Sequence, residues 1–589
     1  MIEPTKNETT TGLYWKDKKT EVDKVVLPFQ TIETVNESRA TREKEKGSFL
    51  KTNPDTSWHN RLIWGDNKYI MASLLKEYAG KIDLIYIDPP FATGADFSID
   101  IGIGDTEWTK EPSAIEDKAY RDTWGKGLDS YLQMVFERLV LMRELLSPKG
   151  SIYVHLDWRM SSYVRIIADE IFGQDSYMRE IVWRMGWISG YKTMANNWIR
   201  NHDNILFYVK DPHNFTFNKK WIPYPEGYER WGGRPKGQGL AIEDVWGVFQ
   251  GEGVNSLAVI SFAKENLGYP TQKSEGLLER IIESSSNKGD LVADFFCGSG
   301  TTGAVAEKMG RRWIMADLSR YAIHTARKRM LGIEGCSPFM VQNLGKYERQ
   351  YWQGITFKKH PSEQIPIYQY MEFILKLYSA EPISGMLNIH GKKGKYLVHV
   401  GAVDSPVTLS EIKEVINEVK RAGQTSLDVL GWEWEMGLHD VVEKEAKTQG
   451  INLRLFNIPR DVMDPRAVEK GEITFYEQAY LDVHVSQDKY SQFIVELKDF
   501  AIPNLDLIPE EVRSKVKKWS DYIDYWAVDW DWKDDTFHNM WQSYRTRKER
   551  TLNLETDIHT YSNQGLHTIM VKVIDIFGND TTHMIEVKS

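Results

Sequence analysis

The chain has 589 residues, 41% of them hydrophobic and 27% charged, with a formal net charge of −10. That length exceeds what one core serves and implies about three or four domains, while the negative balance excludes a protein that coats nucleic acid nonspecifically, because phosphate binding depends on Lys and Arg releasing counterions. There is no apolar run of the roughly 18 to 20 residues that a membrane span needs, no signal-peptide pattern at the start, and only Cys297 and Cys336, too few for a disulfide framework or a Cys-based zinc cluster; a reducing, cytoplasmic setting with no membrane partner is expected.

Residues 1–57 are polar with weak periodicity and read as an extended or loosely packed arm. From Arg61 the texture changes. The segment LIWGDN ends in a turn, NKYIMASLLKEYAG has helical spacing, and KIDLIYIDPPF is an apolar, β-branched run of the kind buried in a parallel sheet. A helix over about Leu128 to Leu146 follows, closed by Ser147-Pro148-Lys149-Gly150, then a strand SIYVHLD and a helix from about Ser161 to Ile171. After an irregular stretch to about Tyr269 the rhythm resumes: helix SEGLLERIIESSS, strand LVADFF, turn CGSG, helix TTGAVAEKMG, strand RRWIMAD, helix SRYAIHTARKRML. Strands alternating with helices imply a doubly wound, Rossmann-like α/β domain over 58–345, completed by two separated stretches with 177–268 inserted between them. Over 346–470 a second α/β pattern appears without a catalytic signature, and 471–589 turns β-rich. The final segment, GLHTIMVKVIDIFGNDTTHMIEVKS, alternates with period two about a Gly-Asn turn and predicts a hairpin; it resembles the closing strands of an immunoglobulin-like or PKD-like module.

Two clusters carry chemistry. In Asp294-Phe295-Phe296-Cys297-Gly298-Ser299-Gly300-Thr301-Thr302 a buried strand turns into a helix, and glycines there let the backbone pass close to a ligand. Asp317 lies 17 residues beyond Gly300 at the tip of the next strand, where a carboxylate can accept from both hydroxyls of a ribose. The turn has no Lys like that of a P-loop, which disfavours phosphate binding. The second cluster is Asp88-Pro89-Pro90-Phe91, at the carboxyl end of another buried strand. Its prolines fix the backbone and remove two N–H donors, leaving the Asp88 carboxylate and the Pro89 carbonyl as acceptors for an exocyclic amino group, with Phe91 able to stack on the base. By itself the tetrapeptide is as readily a turn; the neighbouring cofactor motif gives it meaning.

Asp88-Pro89-Pro90-Phe91, followed by Phe296-x-Gly298-x-Gly300 and preceded by Gly65-Asp66-Asn67, resembles the DNA amino-methyltransferases of the β group, in which the catalytic motif precedes the cofactor motif. The resemblance covers about residues 58–345 and is closest to modification subunits of type III restriction systems. It implies S-adenosylmethionine as cofactor, held by Asp66 at its adenine, by Lys273 near its methionine end, and by Asp294, Phe296, Gly298, Gly300, Thr301 and Asp317. The family usually begins the segment Tyr269-Pro270-Thr271-Gln272-Lys273 with His, so Tyr269 is a departure. The implied reaction is methyl transfer to N6 of a flipped-out adenine; Asp at the first position of the tetrapeptide is the form usual for adenine, and cytosine-N4 transfer is the alternative.

In this family the insertion reads DNA sequence. From Tyr177 to Gly239 there are ten Lys or Arg against five Asp or Glu, with thirteen aromatics interleaved, a mix suited to a nucleic-acid backbone and to stacking; a solvated face over an aromatic core is the plainer reading. Arg184, Lys192, Arg200, Lys219 and Lys220 are the candidate phosphate contacts. Double-stranded DNA is the expected partner, with a separate restriction or helicase subunit and a homodimer as further candidates; other functions are a DNA-recognition subunit of a defence assembly and an RNA methyltransferase. Several features take plain readings. Cys297 is a packing residue, His155 and Asp157 support the pocket rather than touch substrate, Glu496 and Lys498 share a strand face without being a nuclease site, and no metal site is expected.

Overall fold

A computed structural model describes residues 12–36, 58–90, 99–103, 106–110, 127–184, 196–224, 237–247, 265, 267, 269, 271–357, 364–435, 438–471, 473–488, 492–503, 508–533, 536–545 and 550–589. The described residues form two compact units, the first drawn from Met1–Leu27, His59–Phe97 and Glu116–Ser337, the second from Pro28–Trp58, Ser98–Ile115 and Pro338–Ser589.

In the first unit the strands are β1 (Asn60–Trp64), β2 (Ile82–Ile87), β3 (Leu146–Leu156), β4 (Tyr177–Arg184), β5 (His202–Val209), β6 (Val245–Trp246), β7 (Leu291–Asp294) and β8 (Arg312–Asp317). They lie in the order β6-β4-β5-β3-β2-β7-β8-β1. The pairs β1/β8, β8/β7, β7/β2 and β2/β3 are parallel, and β5 runs antiparallel to both β3 and β4. Helices α1 (Asn67–Tyr78), α2 (Leu128–Leu145), α3 (Ser161–Phe172), α4 (Glu275–Ser285), α5 (Thr301–Lys308) and α6 (Arg320–Leu331) connect them. This is a doubly wound α/β sheet. Its centre is apolar on both faces, which is why Leu84, Ile85, Val292, Ala293, Ile314 and Met315 are all buried and why these strands read as unbroken hydrophobic runs. The order of strands brings the carboxyl ends of β1, β2, β7 and β8 together although β2 and β7 are about two hundred residues apart in the chain, and open α/β sheets place ligands at that edge.

Three features differ from the sequence reading. Ser147–Gly150 do not stand between α2 and β3: Leu146 already pairs with Ile82, and the next partner of β2 is Ser151 opposite Leu84, so these residues bulge out of the strand's start. Residues 177–209, expected to be irregular, supply the long strands β4 and β5 and extend the sheet. The supposed arm is also more engaged than its polarity suggested. Trp15 is buried with its ring edge on Phe136 at 6.2 Å, and residues 30–35 form a strand antiparallel to 339–343 in the second unit.

The second unit holds a sheet whose central strands, Tyr396–Val400, Ser426–Gly431 and Asn452–Asn457, are parallel and alternate with helices Leu409–Arg421 and Leu438–Thr448. Thr408 and Glu411 form a reciprocal cap at the start of the first of these helices. Further along, Leu566–Asp575 and Asp580–Lys588 pair as an antiparallel hairpin with Gly578 at φ +86°, and Tyr480–Gln487 pairs with Gln492–Ala501. Also in this unit is the short hairpin Ile99–Ile103/Thr106–Lys110.

Candidate active site

At the carboxyl edge of the first sheet, Asp66, Asp88, Asp294 and Asp317 line one cavity together with Pro89, Pro90, Lys273, Phe296, Gly298 and Thr301. Its space is about 950 Å³, counting what opens to solvent at the mouth. Gly300 lies just behind, and Phe91 falls outside the described residues.

The Gly-rich turn is built by sterics and held by hydrogen bonds. Gly298 and Gly300 have φ of +49° and +74°, the left-handed region that favours glycine. A Cβ on Gly300 would also sit 2.8 Å from Ala326 Cβ, so α6 packs on the turn only because that side chain is absent. Asp294 accepts from Phe296 N at 3.0 Å and from the Thr302 hydroxyl at 2.5 Å; burial outweighs both and pushes its carboxyl up to about 7. Asp317 accepts from Gly298 N and Ser319 N, each at 2.9 Å, and burial raises it to about 6. Thr301 is gripped from below, its hydroxyl accepting from Arg329 Nη1 at 2.8 Å while Arg329 Nη2 reaches Glu275 at 2.9 Å. Tyr269, the departure from the family pattern, is buried, stacks on Tyr321 with ring centroids 5.9 Å apart, and lies 3.2 Å from where a Gly298 Cβ would be. Its ring covers the turn.

Asp66 caps α1, its Oδ1 accepting from Lys68 N at 2.9 Å and from Arg138 Nη2 at 2.7 Å. Arg138 is buried, and its Nε donates to Asn67 Oδ1 at 2.5 Å, while Asn67 Nδ2 donates to the Phe295 carbonyl at 2.8 Å. Sequence reasoning quoted Asn67 only as part of the Gly65-Asp66-Asn67 motif and gave Arg138 no role.

Lys273 lines the cavity as the sequence reading required, but its ammonium is ion-paired with Asp88 Oδ2. Asp88 Oδ1 is buried and accepts no hydrogen bond among the described residues, an orphan acceptor of the kind a bound amino group would satisfy. On the same wall, the hydroxyl of buried Tyr86 stands 2.8 Å from His155 Nδ1. Asp157, by contrast, is turned to structure, capping the chain at Arg159 N and Met160 N at 3.0 and 3.2 Å. Burial pushes the Cys297 thiol well above its ordinary range, so it is no thiolate nucleophile.

Among the predicted phosphate contacts, Arg200 is ion-paired with Asp203, Lys220 with Glu283, and Lys219 lies 4.8 Å over the Trp221 ring. Arg184 is exposed at the end of β4, and Lys192 lies outside the described residues. Lys498 pairs with Glu496 at 2.5 Å on one strand, and no cluster of His, Cys, Asp and Glu able to hold a metal is found among the described residues.

The donor set discriminates between cofactors. Asp66 and Asp88 are matched by Arg138 and Lys273, while Asp294 and Asp317 are held by backbone N–H groups and a threonine hydroxyl, so the cavity offers acceptors that suit ribose hydroxyls, an adenine amino group and a cationic sulfonium. The residues present fit S-adenosylmethionine.

Residues 82–328 match the family model described as DNA methylase. The chain is 30% identical over 254 residues to the type II methyltransferase M.HpaI of Haemophilus parainfluenzae, a match covering 42% of this chain and 68% of that protein. This chain belongs to the DNA methylase family. It is also similar to the type II methyltransferase M.EcaI of Enterobacter cloacae (29% identical; 46% of this chain, 69% of that protein) and to the DNA adenine methyltransferase YhdJ of Escherichia coli K12 (27% identical; 52% and 93%). Apart from Asp66 and Asn67, the residues that line the cavity fall within the matched stretch.

Proposed function

We propose that this DNA methylase transfers a methyl group from S-adenosylmethionine to the exocyclic N6 of adenine, at a specific site, on a base turned out of the duplex, in a restriction-modification or phage-defence setting where a separate restriction or helicase subunit does any cutting. The observation that carries the reading is Asp88: one carboxylate oxygen fixed by Lys273, the other buried with no donor among the described residues, in a cavity shared with Asp66, Asp294 and Asp317.

The bound cofactor supplies an electrophilic methyl on sulfur, and the electron pair of the broken bond stays with the sulfur. Asp317 would accept from the ribose hydroxyls, and Asp66, fixed by Arg138, would hold the cofactor's adenine. Asp88 Oδ1 and the Pro89 carbonyl accept the two N–H groups of the target amine. That leaves the nitrogen lone pair directed away from them, toward the methyl. No covalent intermediate with the protein is needed, only positioning and electrostatic fit. Likeness to a protein named as an adenine methyltransferase supports adenine over cytosine-N4.

Asp88→Ala is expected to lower transfer by at least about a thousandfold while cofactor affinity, measured by calorimetry, changes only a few fold; retained activity would sink the assignment. Modification-sensitive sequencing of DNA from cells expressing the chain would give the base, its position and the surrounding site together, and a methylated cytosine N4 would replace adenine in the reading.

A further inference from the structure

A buried hydroxyl, imidazole and carboxylate run from the wall of the cavity into the sheet. Tyr86 on β2, His155 on β3 and Asp203 on β5 are 2%, 0% and 4% exposed. The Tyr86 hydroxyl is 2.8 Å from His155 Nδ1, and His155 Nε2 is 3.5 Å from Asp203 Oδ2. β5 is the antiparallel neighbour of β3, which is what sets Asp203 beside His155. The imidazole is boxed in by the edge of Trp183, with ring centroids 5.4 Å apart, and Arg200 is paired with the outer side of Asp203. Alternation along β2 puts Tyr86 and Asp88 on the same side of the strand, and both line the cavity.

Methyl transfer leaves the target nitrogen with one proton too many. Asp88 is poorly suited to take it, because its carboxylate already faces the Lys273 ammonium. We propose that Tyr86, His155 and Asp203 form the proton exit for the methylated amine. This rests on the methyltransferase reading above. As the N–C bond forms the nitrogen becomes tetrahedral, and the N–H that had faced the Pro89 carbonyl swings to Tyr86 Oη. The nitrogen gives this proton to the phenol oxygen while the phenol's own proton passes to His155 Nδ1, so the base ends neutral, the tyrosine stays a phenol, and the charge rests on an imidazolium facing Asp203. When product leaves, the proton returns by the same hydroxyl to water. The layout is that of a hydroxyl, imidazole and carboxylate triad, in which the acid orients the ring and stabilises its charged form, and catalytic hydrogen bonds are commonly long before substrate binds.

Two electrostatic features agree with these roles. Burial, followed by the nearby charges of Asp88, Asp294 and Asp203, holds the Tyr86 phenol far above its ordinary range, so it passes protons without becoming a phenolate. Burial pushes Asp203 up, but the hydrogen bond and charge of His155 with the charges of Arg200 and Lys273 outweigh it and hold the carboxyl at about 2. It therefore stays an anion opposite the ring.

The test compares the full-length wild type with Tyr86→Phe and His155→Gln, using radiolabelled S-adenosylmethionine and a duplex bearing the site found by sequencing. Single-turnover transfer is expected to fall about 100-fold in each variant, with the Kd values for cofactor and for duplex within about threefold of wild type. In the cofactor-free protein, nitrogen-15 spectra of labelled histidine should show the His155 signal, assigned by its loss in His155→Gln, as the tautomer with a bare Nδ1. Transfer within about threefold of wild type in Tyr86→Phe overturns the exit route. So does a loss of rate matched by equal losses in both affinities, which marks a structural role, and so does a protonated Nδ1. A wild type that methylates no DNA overturns the methyltransferase reading itself, and is told apart because the variants are then beside the point.

Discussion

The two parallel sheets in this molecule treat their buried carboxylates in opposite ways. In the second unit Asp428, fully buried in the middle of its strand, accepts from Arg454 Nε and Nη2 at 2.7 Å each and from the Tyr378 hydroxyl at 2.9 Å. The Arg454 guanidinium in turn lies 3.5 Å over the Tyr396 ring. In the first unit Asp294 and Asp317 are as deeply buried but are held by backbone N–H groups and a threonine hydroxyl, and burial lifts them to about 7 and about 6. A carboxylate with both oxygens engaged by one fixed cation, as Asp428 is by Arg454, is part of the scaffold. One held only by neutral donors keeps an unspent preference for positive charge and hydroxyl donors, which a ligand can satisfy.

The largest effect should come from breaking the matched pair. Arg454→Ala strands a buried carboxylate and is expected to destabilise the second unit by about 3–5 kcal/mol, read as a lowered unfolding transition, with cofactor affinity unchanged; a loss of cofactor binding would erase the contrast between the sheets. Next, Gly300→Ala forces a side chain into a left-handed residue and against Ala326, costing about 1–3 kcal/mol and weakening cofactor binding at least about tenfold, measured by calorimetry. The smallest effect concerns pH. A carboxyl whose folded value of about 7 stands above the unfolded 3.8 favours the folded state most at low pH and loses that contribution as pH rises from about 4 to about 7. Asp294→Asn should therefore be more stable than wild type above pH 7, with the gap closing toward pH 4, while binding cofactor less well. Equal stability of the two proteins across that range would refute the idea that Asp294 is strained.

Much of the cavity could be read along the chain because its parts are local. The turn from Asp294 to Thr302 declares itself by two glycines between an apolar strand and a helix, and Asp317 by its distance from that turn. Asp88 stands beside two prolines that leave little conformational choice. Arg138 did not declare itself, since an arginine in a helix is ordinarily a surface residue, and its place becomes clear only when α2 packs it onto Asp66 and Asn67. Tyr86 was hidden in the same way, as a single polar letter inside an apolar strand, and Asp203 in the polar start of β5. Lys273 was identified as a cavity residue, yet its partner lies 185 residues away in the chain. The irregular composition of 177–209 concealed two strands, because Asn204 and Asp203 in β5 break the apolar pattern while still pairing, Asn204 with Leu156 of β3 and Asp203 with Trp183 of β4.

By itself the sequence determined the alternation of strands and helices, the glycine turn with its Asp317 partner, the aspartate at the end of β2 and the closing hairpin of residues 566–588. All of these depend on backbone sterics and side-chain periodicity acting over a few residues. Only the tertiary structure decided that Lys273 neutralises Asp88, that Arg138 fixes Asp66, and that Tyr86, His155 and Asp203 stand in line. Those depend on which strands lie side by side. Burial there removes the water that would otherwise screen each charge, so the partner chosen by strand order decides what each carboxylate does.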